Sequence, residues 1–341
     1  MKTGHPLVFF LTGLGLMGLP SWLRVAWHTG RVGARPADNY SAWADLDDDD
    51  AARWCSAHFG ATATAYLVEP FLDGLLYQPP EGTSRAVLLA LLALSRGGRS
   101  KQLTLAHGLG SLPQALAAKL DVKFKMRVDA LGIDGQGVEV RTAGESIRAD
   151  QVILATTASV ARTLYRQADE FERRLMATPY ASTVKVSLVT DRHWRGDGRL
   201  KGVCGLFIPR VERKVIASMT VESWRDPSRV PSGEALHALL SGEAAGSLID
   251  RSDDEIEAAV LPEVERYFPG VTEAKRFAHV VRWHEAEPKS PVGRSRAIAE
   301  YRRGGAARRV WLAGDYMGMP WTDGAAETGA WAADHVLANL K

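Results

Sequence analysis

VWLAGDYMGMPWTDGAAETGAWAADHVLANL, residues 310–340, is the stretch whose reading decides the fold. Val310 to Ala313 is a short apolar run and reads as a buried strand. It stops at Gly314-Asp315 and gives way to a loop rich in glycine and aromatics. A helix then opens at about Asp323-Gly324-Ala325. The start of a helix presents free N–H groups and a dipole that favours negative or electron-rich groups, and glycine admits a ligand close to the backbone. A strand ending on Gly-Asp, facing a helix that begins Asp-Gly-Ala, therefore forms a cradle for an anionic cofactor.

Working back along the chain, the texture alternates between helical and strand-like blocks. Up to about Gly98 the pattern is mostly helical. Leu7 to Leu19 is apolar but too short to span a bilayer, and it reads as a buried or membrane-touching helix. The acidic run Asp47 to Asp50 reads as the solvated start of the helix AARWCSAHFG, closed by Gly60. Arg85 to Leu94 reads as a buried helix. After the glycine loop at Gly108 and Gly110 comes a helix starting near Ser111 and Pro113. A β-meander is expected next, with strands at Lys123–Val128, Gly137–Thr142 and Ser146–Ala149. The apolar run after Asp150 reads as a buried parallel strand. A second strand-rich block spans Tyr180 to Trp224, followed by a helix over Asp254–Tyr267, bent at Pro262, and the strand AHVVRWHEAEP.

Composition narrows the function classes. The chain has 341 residues, 46% hydrophobic and 24% charged, and a formal net charge of +2. That length holds two modest domains. The charge balance argues against a nucleic-acid partner. The two cysteines, Cys55 and Cys204, make neither a disulfide scaffold nor a metal site, and a reducing, cytoplasmic setting follows. His28, His58, His193 and His284 lack metal-ligand spacing, so no metal is expected.

Several segments resemble the amine oxidase and protoporphyrinogen oxidase superfamily, in the superfamily's order. HGLGSLPQALAAKL (107–120) is similar to its glycine loop and helix, and KFKMRVDALGIDGQGVEVRT (123–142) to its meander. ADQVILATTAS (149–159) resembles the strand beneath the cofactor, and VVRWHEAEPKSPVG (280–293) the RWxxAxP segment. GDYMGMPWTDGAAETG (314–329) resembles the terminal flavin motif. FGATATAYLVEPFLDGLLYQPPEGTS (59–84) and the segment from Gly205 to Gly233 resemble the protoporphyrinogen oxidase branch.

The resemblance implies an α/β (mixed α+β) fold: a two-domain, FAD-dependent oxidoreductase of the glutathione-reductase-like cofactor-binding type. The expected division is 1–98, a mainly helical part of the substrate domain; 99–165, the middle of the FAD-binding domain; 166–284, a β-sheet substrate domain; and 285–341, the C-terminal part of the FAD-binding domain. The resemblance places Val128 against the adenine, Thr156 beside the cofactor and Trp283 near the isoalloxazine ring. It puts Gly314 and Asp315 at the ribityl-phosphate, and Asp323, Gly324 and Ala325 at the flavin pyrimidine edge. Each position also has a purely structural alternative: a strand-end turn for Asp315, an N-cap for Asp323, a strand cap for Thr156, and core packing for Trp283 and Trp321.

The superfamily opens with a strand–GxGxxG–helix unit that holds the pyrophosphate. Gly13, Gly15 and Gly18 match that spacing, but Pro20 interrupts the following helix and no acid-ended strand follows. The match reads as accidental, with the Rossmann half missing through N-terminal truncation or supplied by a partner chain. No catalytic side chain is assigned, since the flavin performs the hard step. The expected reaction is hydride transfer from a hydrophobic small molecule to flavin N5, with oxygen as acceptor. An isoprenoid desaturase and a non-catalytic remnant or subunit are the alternatives, and the apolar N-terminus suits peripheral membrane contact.

Overall fold

The computed structural model describes residues 6–32, 35–95, 105, 108–191, 200, 203–304 and 308–339, with the side chains of 6–14 and 95 outside the description. Expectations that fall on His107, His193 and Gly97-Gly98 lie outside the described residues.

Helix α1 spans Pro6–Arg31 and bends at Gly18, whose φ of 74° breaks the helical path just before Pro20. Gly13, Gly15 and Gly18 therefore lie along a helix rather than in a strand–loop turn. Met17, Val25 and Val32 face inward, while Leu16, Leu19, Leu23 and Trp27 are exposed. No described helix is long and apolar enough to cross a membrane.

Helix α2 (Ala51–His58) is capped by the Asp50 carboxylate, which accepts from the Ala52 and Arg53 N–H groups. Asp47 behaves differently from the solvated acid expected. It is buried, and its carboxylate accepts from Gly293 N at 2.9 Å and Arg296 N at 3.1 Å. It thus satisfies the start of a helix far away in sequence, where free N–H groups need an anion.

Helices α3 (Glu69–Leu76) and α4 (Arg85–Ser95) follow. The Ala86–Leu92 side chains of α4 are all buried, as befits a helix that is apolar all round. Helix α5 (Ser111–Ala117) buries nothing, and Leu109, Leu112, Leu116 and Leu120 stand exposed along it.

The meander consists of β1 (Val128–Asp134), β2 (Gly137–Thr142) and β3 (Ser146–Ala149) in antiparallel order. Its first strand starts where Lys123–Val128 was expected to end. Lys125 takes a left-handed φ of 59°, which an extended strand cannot include. Strand β4 (Val152–Leu154) pairs in parallel with β10 (Val310–Leu312). Between them the chain forms helices α6 (Ala158–Leu164) and α7 (Glu170–Leu175), then a second sheet.

That sheet is antiparallel in the order β6-β7-β8-β5-β9. Its strands are β5 (Tyr180–Thr190), β6 (Gly205–Phe207), β7 (Ile216–Val221), β8 (Glu234–Leu240) and β9 (Lys275–Pro288). Strand β8, EALHALL, escaped the sequence reading because its residues favour helix and only sheet packing makes it extended. Helices α8 (Gly242–Leu248) and α9 (Asp253–Tyr267) belong to the same apolar core as Val184, Val186, Leu188, Leu236, Ala238 and Leu240 of one sheet face. Helix α9 is continuous through Pro262.

A separate core joins the N-terminal helices to the β1–β4 region and to residues 298–319. Arg213 ties the helical layer to the sheet: its guanidinium pairs with buried Glu69 at 2.6 Å and with Asp73. Burial outweighs that attraction and raises both carboxyls above their usual range. The chain closes with α10 (Arg294–Arg303), β10 and α11 (Thr322–Asn339).

Candidate cofactor and substrate site

The parallel pair β4–β10 delivers two chain turns to one place. Beyond its end, Gly314 adopts a φ of 125°, and a Cβ there would sit 3.1 Å from the Thr156 carbonyl oxygen. Only glycine lets the two loops approach this closely. Thr328, in the second turn of α11, accepts from Gly314 N at 2.9 Å and donates to Ala325 O at 2.9 Å. Gly318 and Gly324 press the intervening loop onto the helix: a Cβ on Gly318 would meet the Gly324 oxygen at 2.7 Å. Thr156, Gly314, Asp315, Gly324 and Ala325 are thus brought together, as the sequence led us to expect.

Three other positions lie on neighbouring elements. Asp323 is exposed in the first turn of α11, one residue inside the helix, so it is not the N-cap. Val128 starts β1, paired with Thr142 beside a register shift, and packs against the same core as Leu312, Tyr316 and Met317. Trp283 is 53% exposed on β9, which rules out the core-packing alternative.

The structure adds side chains that the sequence did not single out. The Tyr180 hydroxyl, on β5, donates to Asp315 Oδ1 at 2.8 Å and accepts from Ala158 N at 3.2 Å. Asp315 therefore anchors the Gly-Asp loop to the second sheet, which a turn residue alone would not do. Arg294 is buried and donates to the Asp315 and Gly318 carbonyls (2.9 and 3.1 Å) and to Ser290 Oγ (2.9 Å), while lying over the Tyr40 ring. Burial pulls its pKa below the usual guanidinium value. The Tyr40 hydroxyl, the Tyr316 hydroxyl and Arg294 Nε are buried without hydrogen-bond partners among the described residues. The local cue to this cluster is faint: Arg294 directly follows the RWHEAEPKSPVG segment.

Glu287, near the end of β9, is held neutral. Burial first, and the charge of Asp315 second, push its carboxyl up to about 8. The folded protein keeps a proton here that the unfolded chain releases in the ordinary carboxylate range. Stability is then full below that range and declines as pH rises through about 8. The Glu287→Gln variant is expected to lose this decline and to exceed the wild type by about 1–2 kcal/mol near pH 9, after discounting for partial solvation. Thermal melts of both proteins from acid to alkaline pH check this, and parallel pH profiles would count against it.

The two edges of the small parallel sheet are unequal. The outer edge of β10 is closed by Tyr301, whose hydroxyl accepts from Leu312 N at 2.9 Å. On β4, Val152 N and Leu154 O bond toward the β10 side, leaving the Ile153 main chain pointing away from it. Among the described residues no strand pairs with that edge. An unpaired edge on a parallel strand is unusual, since such sheets are normally buried inside larger ones.

A Gly-Asp strand end and a helix with Gly324 in its first turn are set here against the end of an antiparallel sheet. The chain belongs to the flavin containing amine oxidoreductase family, which it matches over residues 23–337. FAD is the cofactor of that family. The chain is 32% identical over 201 residues to coproporphyrinogen III oxidase from Propionibacterium freudenreichii subsp. freudenreichii. That match covers 56% of this chain and only 36% of the relative. Its fold is similar to a putative protoporphyrinogen oxidase from Exiguobacterium sp. 255-15, with a TM-score of 0.72 at 18% identity, covering 100% of this chain and 76% of the other. It is likewise similar to cyclohexylamine oxidase from Brevibacterium oxydans IH-35A, with a TM-score of 0.71 at 16% identity, covering 98% and 76%.

The residues present fit the flavin end of this cofactor. Gly314 opens the backbone, the N–H groups of α11 start beside it, and two buried hydroxyls and one guanidinium nitrogen are left unpartnered nearby. The GxGxxG spacing of Gly13, Gly15 and Gly18 falls on α1 and not on a strand–loop turn.

Proposed function

We propose that this chain is an FAD-dependent oxidoreductase of porphyrinogen-type substrates; bound FAD would supply a hydride acceptor at N5, and oxygen would be the final acceptor. The observation that carries this reading is the cradle of Thr156, Gly314, Asp315 and the α11 start, held against the second sheet by Tyr180. Gly314 and Asp315 would hold the ribityl-phosphate, and the N–H groups at Asp323, Gly324 and Ala325 would face the pyrimidine edge. Trp283 would lie beside the ring and Val128 beside the adenine. Glu287, neutral at physiological pH, would donate a hydrogen bond rather than repel an electron-rich neighbour. The oxidase relatives and the resemblance of residues 59–84 to the protoporphyrinogen oxidase branch support the substrate class.

The open edge of β4 favours a second statement about the same site. A parallel strand and helices carrying the phosphate loop would pair there, and the exposed leucines along α5 would help cover them. We propose that a partner chain supplies this unit. Purified alone, the chain is then expected to hold far less than one flavin per protein. Flavin absorbance of the pure chain tests this, and a stoichiometric spectrum would remove the partner reading. Peroxide release under oxygen, assayed once FAD is bound, separates the substrates. Turnover is expected with a porphyrinogen and absent with a polyamine or a carotenoid precursor; the reverse pattern would redirect the substrate assignment.

A further inference from the structure

The second sheet has one apolar face, packed on α8 and α9, and one polar face that this core does not explain. The antiparallel register aligns Thr220 with His237, His237 with Ser187, and Ser187 with His279, a polar row across four strands. Directly opposed residues point to the same side of a sheet. The next row on that side holds Lys185 between Leu239 and Val281, and beyond it Thr183 stands opposite Trp283. Phe277, on the other flank, is 53% exposed, as is Trp283. Helix α3 covers only the β6–β7 end, where Ser218 Oγ donates to Gly74 O at 3.0 Å.

Ordinary packing does not call for these groups here. Ser187 is 8% exposed and shares a 2.9 Å hydrogen bond with His237 Nδ1. Burial, and then the charge of Lys185, lower the His237 pKa, so the ring is neutral at physiological pH. Glu222 lies 3.8 Å from His237 Nε2, but Arg225 at 2.9 Å and Arg229 at 3.7 Å already balance it. That separation is too long to orient the imidazole as a base for Ser187, so the trio is not an activated nucleophile. Lys185 is half-buried, and no described carboxylate pairs with it. A lysine kept there without a partner repels amines and attracts anions.

We infer that this polar face is the floor of the substrate cavity and that Lys185, with His237 and His279 beside it, binds the propionate carboxylates of a tetrapyrrole lying over Trp283. The inference rests on the porphyrinogen reading above and adds the residues that select the substrate. The distances agree with the chemistry. From Trp283 to His279 is four residues along β9, roughly 13 Å at strand rise, which suits a macrocycle at one end and its carboxylates at the other. A hydrocarbon substrate would leave Lys185 desolvated with no anion to pair with, at a cost.

The test is a fluorescence titration of the full chain with the stable oxidised porphyrins. The probes are coproporphyrin, with four propionates, protoporphyrin, with two, and etioporphyrin, with none. Affinity is expected to fall in that order. Lys185→Met should weaken coproporphyrin about tenfold, the equivalent of about 1.4 kcal/mol, and leave etioporphyrin unchanged. Lys185→Arg should retain most of the affinity, and His279→Gln, at an exposed site, should weaken coproporphyrin by a smaller factor. Equal binding of coproporphyrin by wild type and Lys185→Met, with both folded by circular dichroism, would overturn the inference, as would equal affinity for all three porphyrins. The two proposals fail separately. Lys185-dependent porphyrin binding without any flavin turnover would sink the oxidase reading alone. Porphyrinogen turnover with a KM indifferent to Lys185→Met would sink this inference alone.

Discussion

Replacing Arg294 by methionine is expected to destabilise the protein by about 3–5 kcal/mol and to lower flavin uptake with it. The side chain is buried and donates to the Asp315 and Gly318 carbonyls and to Ser290. Methionine fills much of the same volume but leaves those acceptors without donors, and each unsatisfied buried group costs about 1–3 kcal/mol. Asp315 also loses the nearby positive charge of Arg294, which leaves the neutral form of Glu287 more strongly favoured. The expected result is a melting temperature many degrees lower, with the greater part of the loss recovered by Arg294→Lys. Urea unfolding of the variants checks the magnitude. A loss below about 1 kcal/mol would mean that the loop after β10 does not depend on this guanidinium.

Gly324→Ala is expected to act through backbone overlap rather than lost bonds. A Cβ at this position would come within 2.6 Å of Met319 N and 2.9 Å of its carbonyl carbon. These are main-chain atoms of the loop that forms the cradle, so no side-chain rotation relieves the clash. The loop must lift from α11 or the helix start must unwind, at a cost of about 3 kcal/mol. Either movement displaces the N–H groups at the α11 start that we propose face the flavin. The variant should therefore lose cofactor affinity in addition to stability. Gly329→Ala, in the same helix with open space around its Cβ position, is the control and should be neutral or slightly stabilising. Equilibrium unfolding and flavin titration of the two variants check the contrast. Similar behaviour would show that loop and helix do not meet as described.

The tail from Val310 onward was legible because its signals are local. A short apolar strand, a Gly-Asp stop and a helix start each depend on residues adjacent in sequence, and all three are found where they were read. The same holds for β2, β3, α2 and the buried helix α4. The misreadings have a common physical origin. Lys123–Val128 alternates like a strand, yet Lys125 turns the backbone left-handed. EALHALL has the composition of a helix, yet its place between β5 and β7 extends it. Asp47 resembles a solvated cap because its partners, Gly293 and Arg296, are remote in the chain.

The candidate site divides along the same line. The sequence by itself singled out Thr156, Gly314, Asp315 and Gly324, which the fold brings together, and, through the order of its matching segments, the family. Local backbone chemistry dictates such motifs, so they survive in a single string of letters. Only the tertiary structure joined Tyr180 to Asp315, wrapped Arg294 around the loop, and closed one edge of the parallel sheet while leaving the other open. It alone aligned Thr220, His237, Ser187 and His279 in one row beside Lys185. Those groups are scattered across four strands and carry no motif. They become a site because antiparallel register stacks residues distant in sequence on one face, and because burial then decides which of them remain charged.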